Sequence, residues 1–237
     1  MGIRRGQLES RKGVLRMTGA GDDREITREE AEKHPELRAD PTQVSKGVLD
    51  DAIPHFEEHV QNIYEAFMLE PHASGAAAGP SITKHQQRTL ALALVQRGPH
   101  GGEVHRDPLV KDKNPYSEYF GFGPQFWCAD FVAFCVDRSG NHNKKVPWGY
   151  PSAVKNITLW GQKHGKIHDM PKKGDIFTLK NDGHTGLVLS AHGSSFITIE
   201  GNTLPPAGVS SPSGSVWVAS HSRDASDGTY FFVRWDF

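Results

Sequence analysis

Three short stretches in the second half of the chain carry residues that could act together on a carbonyl. They are Cys128 in Phe126-Trp127-Cys128-Ala129-Asp130-Phe131-Val132, His184 in Gly183-His184-Thr185-Gly186, and Glu200 with Asn202 in Ile199-Glu200-Gly201-Asn202. A thiol needs a nearby base or a positive field to become a thiolate at neutral pH, and that base needs a third group to hold its tautomer. In chain order these residues supply a nucleophile, a base and an orienting group. The orienting role is open to Glu200 or Asn202.

Local sequence says how each would be positioned. Gly121 and Gly123-Pro124 interrupt the chain just before Cys128, so a helix can begin there. At a helix N-terminus the unpaired amides favour a thiolate, and the N–H of Cys128 itself could point at a developing oxyanion. Phe131, Val132, Phe134, Cys135 and Val136 continue the helix, with Arg138 in its last turn and Gly140 as a stop signal. The hydrophobic period then changes to that of strands, predicted at 174–180, 184–191, 195–200, 215–221 and 229–235. His184, Gly186 and Val188 would share one strand face, with Gly186 leaving room for the helix that carries Cys128. Glu200 and Asn202, two residues apart, would also face one way, and either could receive the imidazole N–H of His184.

The chain has two cysteines. In one helix Cys128 and Cys135 would lie about 10 Å apart, too far for a disulfide, and Cys135 reads as a small buried hydrophobe. The fold must therefore be held by its core, and a free catalytic thiol fits that count.

From about residue 86 to 237 the sequence resembles a CHAP domain, the cysteine, histidine-dependent amidohydrolase/peptidase branch of the papain-like and NlpC-type enzymes. The resemblance rests on an ordered set: an amphipathic helix at 89–97, Asn114-Pro115-Tyr116, Tyr119-Phe120-Gly121, the Cys128 segment, Pro147-Trp148-Gly149-Tyr150-Pro151-Ser152-Ala153, Pro171-Lys172-Lys173-Gly174-Asp175-Ile176, the His184 segment and Ile199-Glu200-Gly201-Asn202-Thr203. It implies an α+β papain-like fold with the nucleophile helix packed on an antiparallel sheet. By carry-over Cys128 is the nucleophile, His184 the general base and Glu200 the orienting acid, with Asn202 as support or substitute. The implied reaction is cleavage of amide bonds in bacterial peptidoglycan, as amidase or endopeptidase. Papain has an oxyanion-hole glutamine six residues before its cysteine, where this chain has Phe122; Gln125 is the nearest glutamine, and Tyr116 and Tyr119 are candidate side-chain donors. Tyr119, Trp127, Trp148 and Tyr150 are the candidate substrate-binding residues, although core packing is the stronger reading of Trp127. A papain-like binding or assembly module without turnover is the alternative from another class.

Competing motifs are weaker. His55-Phe56-Glu57-Glu58-His59 fits an inverted zincin pattern, but thirteen histidines make chance matches easy and no third ligand lies nearby, so no metal is assigned. His164 and His168 read as loop or surface histidines. No standard phosphate loop occurs, and no cofactor is called for. The formal charge is −1 over 237 residues, which gives no support for nucleic-acid binding, and 36% hydrophobic content suffices for a core.

The expected organisation is a disordered tail at 1–24, a small helical region at 25–72, a linker at 73–82 rich in glycine and alanine, and the catalytic domain at 83–237. Within 25–72, Phe56, Val60, Ile63, Phe67 and Met68 form an apolar stripe at helical spacing, suited to packing on the catalytic domain, a partner or a second copy. The tail has no apolar run of the kind a secretory signal needs. The sequence thus points to delivery to the cell envelope by a non-classical route, as an antibacterial effector or a phage-type lysin, with an immunity protein or secretion component as candidate partner and no membrane or nucleic-acid partner.

Overall fold

The computed structural model describes residues 14–16, 25–27, 82–97, 112–140, 143–204, 214–223 and 229–236. The N-terminal part contributes one described feature, an antiparallel ladder of β1 (Val14–Arg16) with β2 (Glu25–Thr27), in a stretch read from sequence as a disordered tail at 1–24 followed by a small helical region from 25. Otherwise the expected tail, the helical region with its His55/His59 motif and the linker up to residue 81 lie outside the described residues.

Helix α1 (Lys84–Gln96) begins at a capping box, in which the Thr83 hydroxyl accepts from the Gln86 amide at 3.1 Å and the Thr83 amide donates to Gln86 Oε1 at 2.9 Å. The sequence placed this helix at 89–97 with one apolar face. It starts five residues earlier, and Thr89 to Leu94 are buried without a break. That burial on several faces is possible because polar side chains there are paired: Gln86 Nε2 donates to the Trp235 carbonyl at 2.6 Å, and Thr89 Oγ1 meets Ser139 Oγ at 2.6 Å. These bonds tie α1 to the last strand's end and to the central helix.

A short helix α2 (Pro115–Tyr119) follows, with Asn114 as N-cap accepting from the Ser117 amide at 2.8 Å and proline in the first turn. Next is α3 (Cys128–Ser139), beginning at the cysteine as the glycine and proline breaks predicted. Phe131, Val132, Phe134, Cys135 and Val136 are all at most 2% exposed, so α3 is the core helix of the domain. Helix α4 (Val154–Lys163) covers the sheet near the strands Ile167–His168, Ile176–Leu179 and Tyr230–Val233.

The main sheet is antiparallel with order β3-β8-β4-β5-β6-β7: β3 (Ile167–His168), β4 (Ile176–Leu179), β5 (Thr185–His192), β6 (Ser195–Thr203), β7 (Ser215–Ser222) and β8 (Tyr230–Val233). Each of the five strands expected from the sequence is present within a few residues of its expected bounds. The result is the α+β architecture, a nucleophile helix on an antiparallel sheet, that the resemblance implied.

The sheet is apolar on both faces. Leu187, Leu189, Ile197, Ile199 and Val218 join α3 and α1 in the main core, while Phe177, Val188, Phe196 and Phe232 form a second cluster. This alternation corrects the expectation for Gly186. The helix does not pack on the His184, Gly186 and Val188 face; it packs on the side of Leu187 and Leu189. A Cβ at Gly186 would instead come within 2.8 Å of Glu200 Cγ and 2.7 Å of the Phe177 ring, so this glycine makes space for the carboxylate. The close approach of helix and strand occurs at Gly201, where a Cβ would lie 2.5 Å from Phe131 Cβ and 2.7 Å from the Trp127 ring. Gly201 therefore brings the end of β6 against the first turn of α3.

Candidate active site

Cys128 is the first residue of α3 and is 8% exposed. Trp127, the N-cap, offers no side-chain hydrogen bond, so no cap competes for the first-turn amides that favour an anion at this end. The chain on the N-terminal side is fixed by a buried acid. Asp130 Oδ2 accepts from Ser117 Oγ at 2.6 Å and from Gln125 Nε2 at 2.9 Å, and the same Gln125 nitrogen donates to Ser152 Oγ at 2.5 Å. Burial pushes the Asp130 carboxyl up, against the pull of its hydrogen bonds from Ser117, Ser152 and Gln125. One helical turn thus anchors α2, the approach to the thiol and the 146–153 loop. Val154, just beyond that loop, packs directly with Cys128 and Ala129.

His184 stands immediately before β5, with the Cys128 thiol on one side close enough to favour its charged form. On the other, His184 Nε2 lies 2.9 Å from Glu200 Oε2. An ionised carboxylate only accepts, so Nε2 carries the hydrogen and Nδ1 is the nitrogen left for the thiol. Burial pushes this imidazole down, but donating to Cys128 and Glu200, together with the negative charge of both, carries it up to about 10. Glu200 is 2% exposed; burial pushes it up, yet His184 and His221 together hold it well below the usual carboxylate range.

The two candidates for the third position are separated by the backbone. Glu200 reaches His184, whereas Asn202 sits at φ 55° in an irregularity of the β6–β7 ladder between Glu200 and Thr203. Its side-chain oxygen is directed toward Gly214, where a Cβ would lie 3.1 Å away. The irregularity breaks the two-residue period that put both side chains on one face.

Of the four candidate substrate-binding aromatics, Tyr150 is half exposed, 5.3 Å from the Phe122 ring. Trp127 is fully buried and stacked on Tyr116 at 5.1 Å, and Trp148 is 6% exposed, so both are packing residues. Tyr119 points away from the thiol, its hydroxyl donating to Asp137 Oδ2 at 2.6 Å near the far end of α3. The side-chain oxyanion donors suggested by sequence are similarly committed. Tyr116 is buried with its hydroxyl on Gln96, and both hydrogens of the Gln125 amide are spent on Asp130 and Ser152. The first-turn amides of α3, including that of Cys128, remain as backbone donors at this helix start. Two residues the sequence did not single out adjoin this site. Phe126, two before the cysteine, is 78% exposed, and His221 on β7 contacts Glu200. Strand-like alternation next to the inward Trp127 was the available signal for Phe126.

The cysteine–histidine pairing has a pH signature. In the amide cleavage that the resemblance implies, an imidazolium would protonate the leaving amine; with His184 carried up to about 10, kcat/KM is then expected to stay level through neutrality and fall on approaching that value. Because the native histidine binds its proton more tightly than the unfolded one, its contribution to stability is full below about pH 6.5 and fades between there and about 10. A kcat/KM profile already falling at the ordinary histidine pKa would contradict the pairing.

Residues 118–202 match the family model of the CHAP domain. The match runs from α2 to Asn202, shorter than the 86–237 of the resemblance, and contains Cys128, His184 and Glu200. CHAP domains are typically cysteine- and histidine-dependent amidohydrolases or peptidases, and peptidoglycan is their general substrate. No curated protein and no solved structure matches the chain.

Proposed function

We propose that this chain, whose residues 118–202 are a CHAP domain, is a cysteine-dependent hydrolase that cuts an amide bond of bacterial peptidoglycan. The observation that carries the reading is a buried Glu200 holding His184 at 2.9 Å, with that imidazole acted on by the Cys128 thiol at the uncapped start of the central helix. The Cys128 thiolate attacks the amide carbonyl, and first-turn amides of α3 receive the developing oxyanion. The His184 imidazolium gives its proton to the leaving amine, leaving an acyl-enzyme. Neutral His184 then takes a proton from water as it attacks the thioester, releasing the acid and restoring the pair. Tyr150, Phe122 and Phe126, aromatic and at least partly exposed, are the surface offered to the peptide.

The finer reading is a delivered antibacterial effector or phage-type lysin. The helical spacing of Phe56, Val60, Ile63, Phe67 and Met68 in the sequence, suited to packing on the catalytic domain, a partner or a second copy, is compatible with it. Among the described residues no helix is long and apolar enough to cross a membrane.

Digestion of purified sacculi followed by mass spectrometry of the muropeptides tests the activity. New amine and carboxylate termini identify the scissile bond as sugar-linked or within the peptide. Sacculi bound but left uncut would favour the alternative, a papain-like binding module, and remove the hydrolase reading.

A further inference from the structure

We infer that His221 is a positioning residue of the same site: it holds one oxygen of Glu200 so that the other is presented to His184. The inference rests on the cysteine chemistry proposed above. His221 lies on β7, paired with Phe196 of β6, and its Nε2 is 2.6 Å from Glu200 Oε1. The two carboxylate oxygens are therefore divided: Oε2 serves His184 at 2.9 Å, and Oε1 serves His221 together with Thr198 Oγ1 at 2.5 Å. A carboxylate can accept all three bonds, and each imidazole must then donate from Nε2.

That assignment leaves His221 Nδ1 as an acceptor, and the Tyr230 hydroxyl from β8 stands 3.4 Å from it. Tyr230 thus favours the tautomer that donates to Glu200. The ring cannot readily turn away, because it stacks on Phe196 at 5.1 Å and lies 5.7 Å from Phe177. The ionisable groups facing this relay are Cys128 from α3, His184 at the start of β5, Glu200 from β6, His221 from β7 and Tyr230 from β8. Without His221, Glu200 keeps only Thr198 on Oε1 and is free to rotate off His184. The orientation of the imidazole facing Cys128 would loosen with it.

Alkylation of Cys128 by iodoacetamide as a function of pH, read by mass spectrometry against buried Cys135, tests this without any assumption about substrate. In His221→Phe the midpoint of the profile is expected to move up by about one pH unit and the rate at neutral pH to fall roughly tenfold. His221→Gln, which restores an N–H donor, should return most of the rate. Tyr230→Phe, which removes only the hydroxyl, should shift the profile in the same direction by less. Profiles of His221→Phe and Tyr230→Phe that both superimpose on the wild type overturn the inference and leave the proposed hydrolase standing. A wild-type Cys128 that reacts no faster than Cys135 overturns both.

Discussion

Cys128→Ala is expected to lower the release of new muropeptide termini by roughly 10⁴-fold or more, with little change in melting temperature. The two halves of that outcome have separate causes. Removing the nucleophile of a unit that acts together typically costs about as much as removing the whole unit. Structurally, only one sulfur atom is lost, at the start of α3, where Cys128 packs with Ala129 and Val154 in a small cluster apart from the main core. Cys135→Ala gives the reverse pattern. That thiol is fully enclosed and burial pushes it well above its ordinary range, so it is inert as a nucleophile while its deletion opens space in the main core. Adding His184→Ala to Cys128→Ala should cost almost nothing further, because the imidazole has no thiol left to serve. The same Cys128→Ala chain, directed to the periplasm, should also lose the toxicity expected of a delivered cell-wall hydrolase. Cys128→Ala protein that still cuts sacculi at a wild-type rate would refute the mechanism.

The contrast between Cys128 and Cys135 was legible in the sequence, because both arguments are local. A glycine and proline break sets a helix start, and a seven-residue spacing sets the second cysteine on the same helix further into the core. The strands were legible for a similar reason, since alternation and turn residues act over a few positions. What depended on register was not. Nothing near His221 distinguishes it from the twelve other histidines; it becomes a partner of Glu200 only when β6 and β7 pair with Phe196 opposite His221. Gly186 was recognised as a place of close approach, but the approaching group is a side chain of the adjacent strand, whereas Gly201 receives the helix. Pattern alone gives the glycine and not the neighbour. Trp127 and Phe126 show the same limit, one buried to the last atom and the other almost bare, although both flank the nucleophile.

Glu200→Ala is expected to reduce kcat by about 10³-fold, and Asn202→Gly by no more than a few-fold. By period alone the two positions were equivalent, and the chain's left-handed turn at Asn202 is what divides them. Glycine accepts φ 55° without strain, so Asn202→Gly removes the side chain while keeping the backbone that lets Gly201 meet Phe131. A large loss in Asn202→Gly would return the orienting role to the amide. Glu200→Gln separates the two parts of the acid's work. Its amide oxygen can still accept from His184, and its NH2 group can meet His221 if that ring takes the other tautomer, so orientation largely survives while the negative charge is gone. Charge is part of what carries His184 up to about 10, hence the alkaline limb of kcat/KM should move toward neutrality in Glu200→Gln even where kcat at pH 6 falls only about tenfold. An unmoved limb would mean that Glu200 acts by geometry alone, and the stability of the imidazolium would then have to come from Cys128.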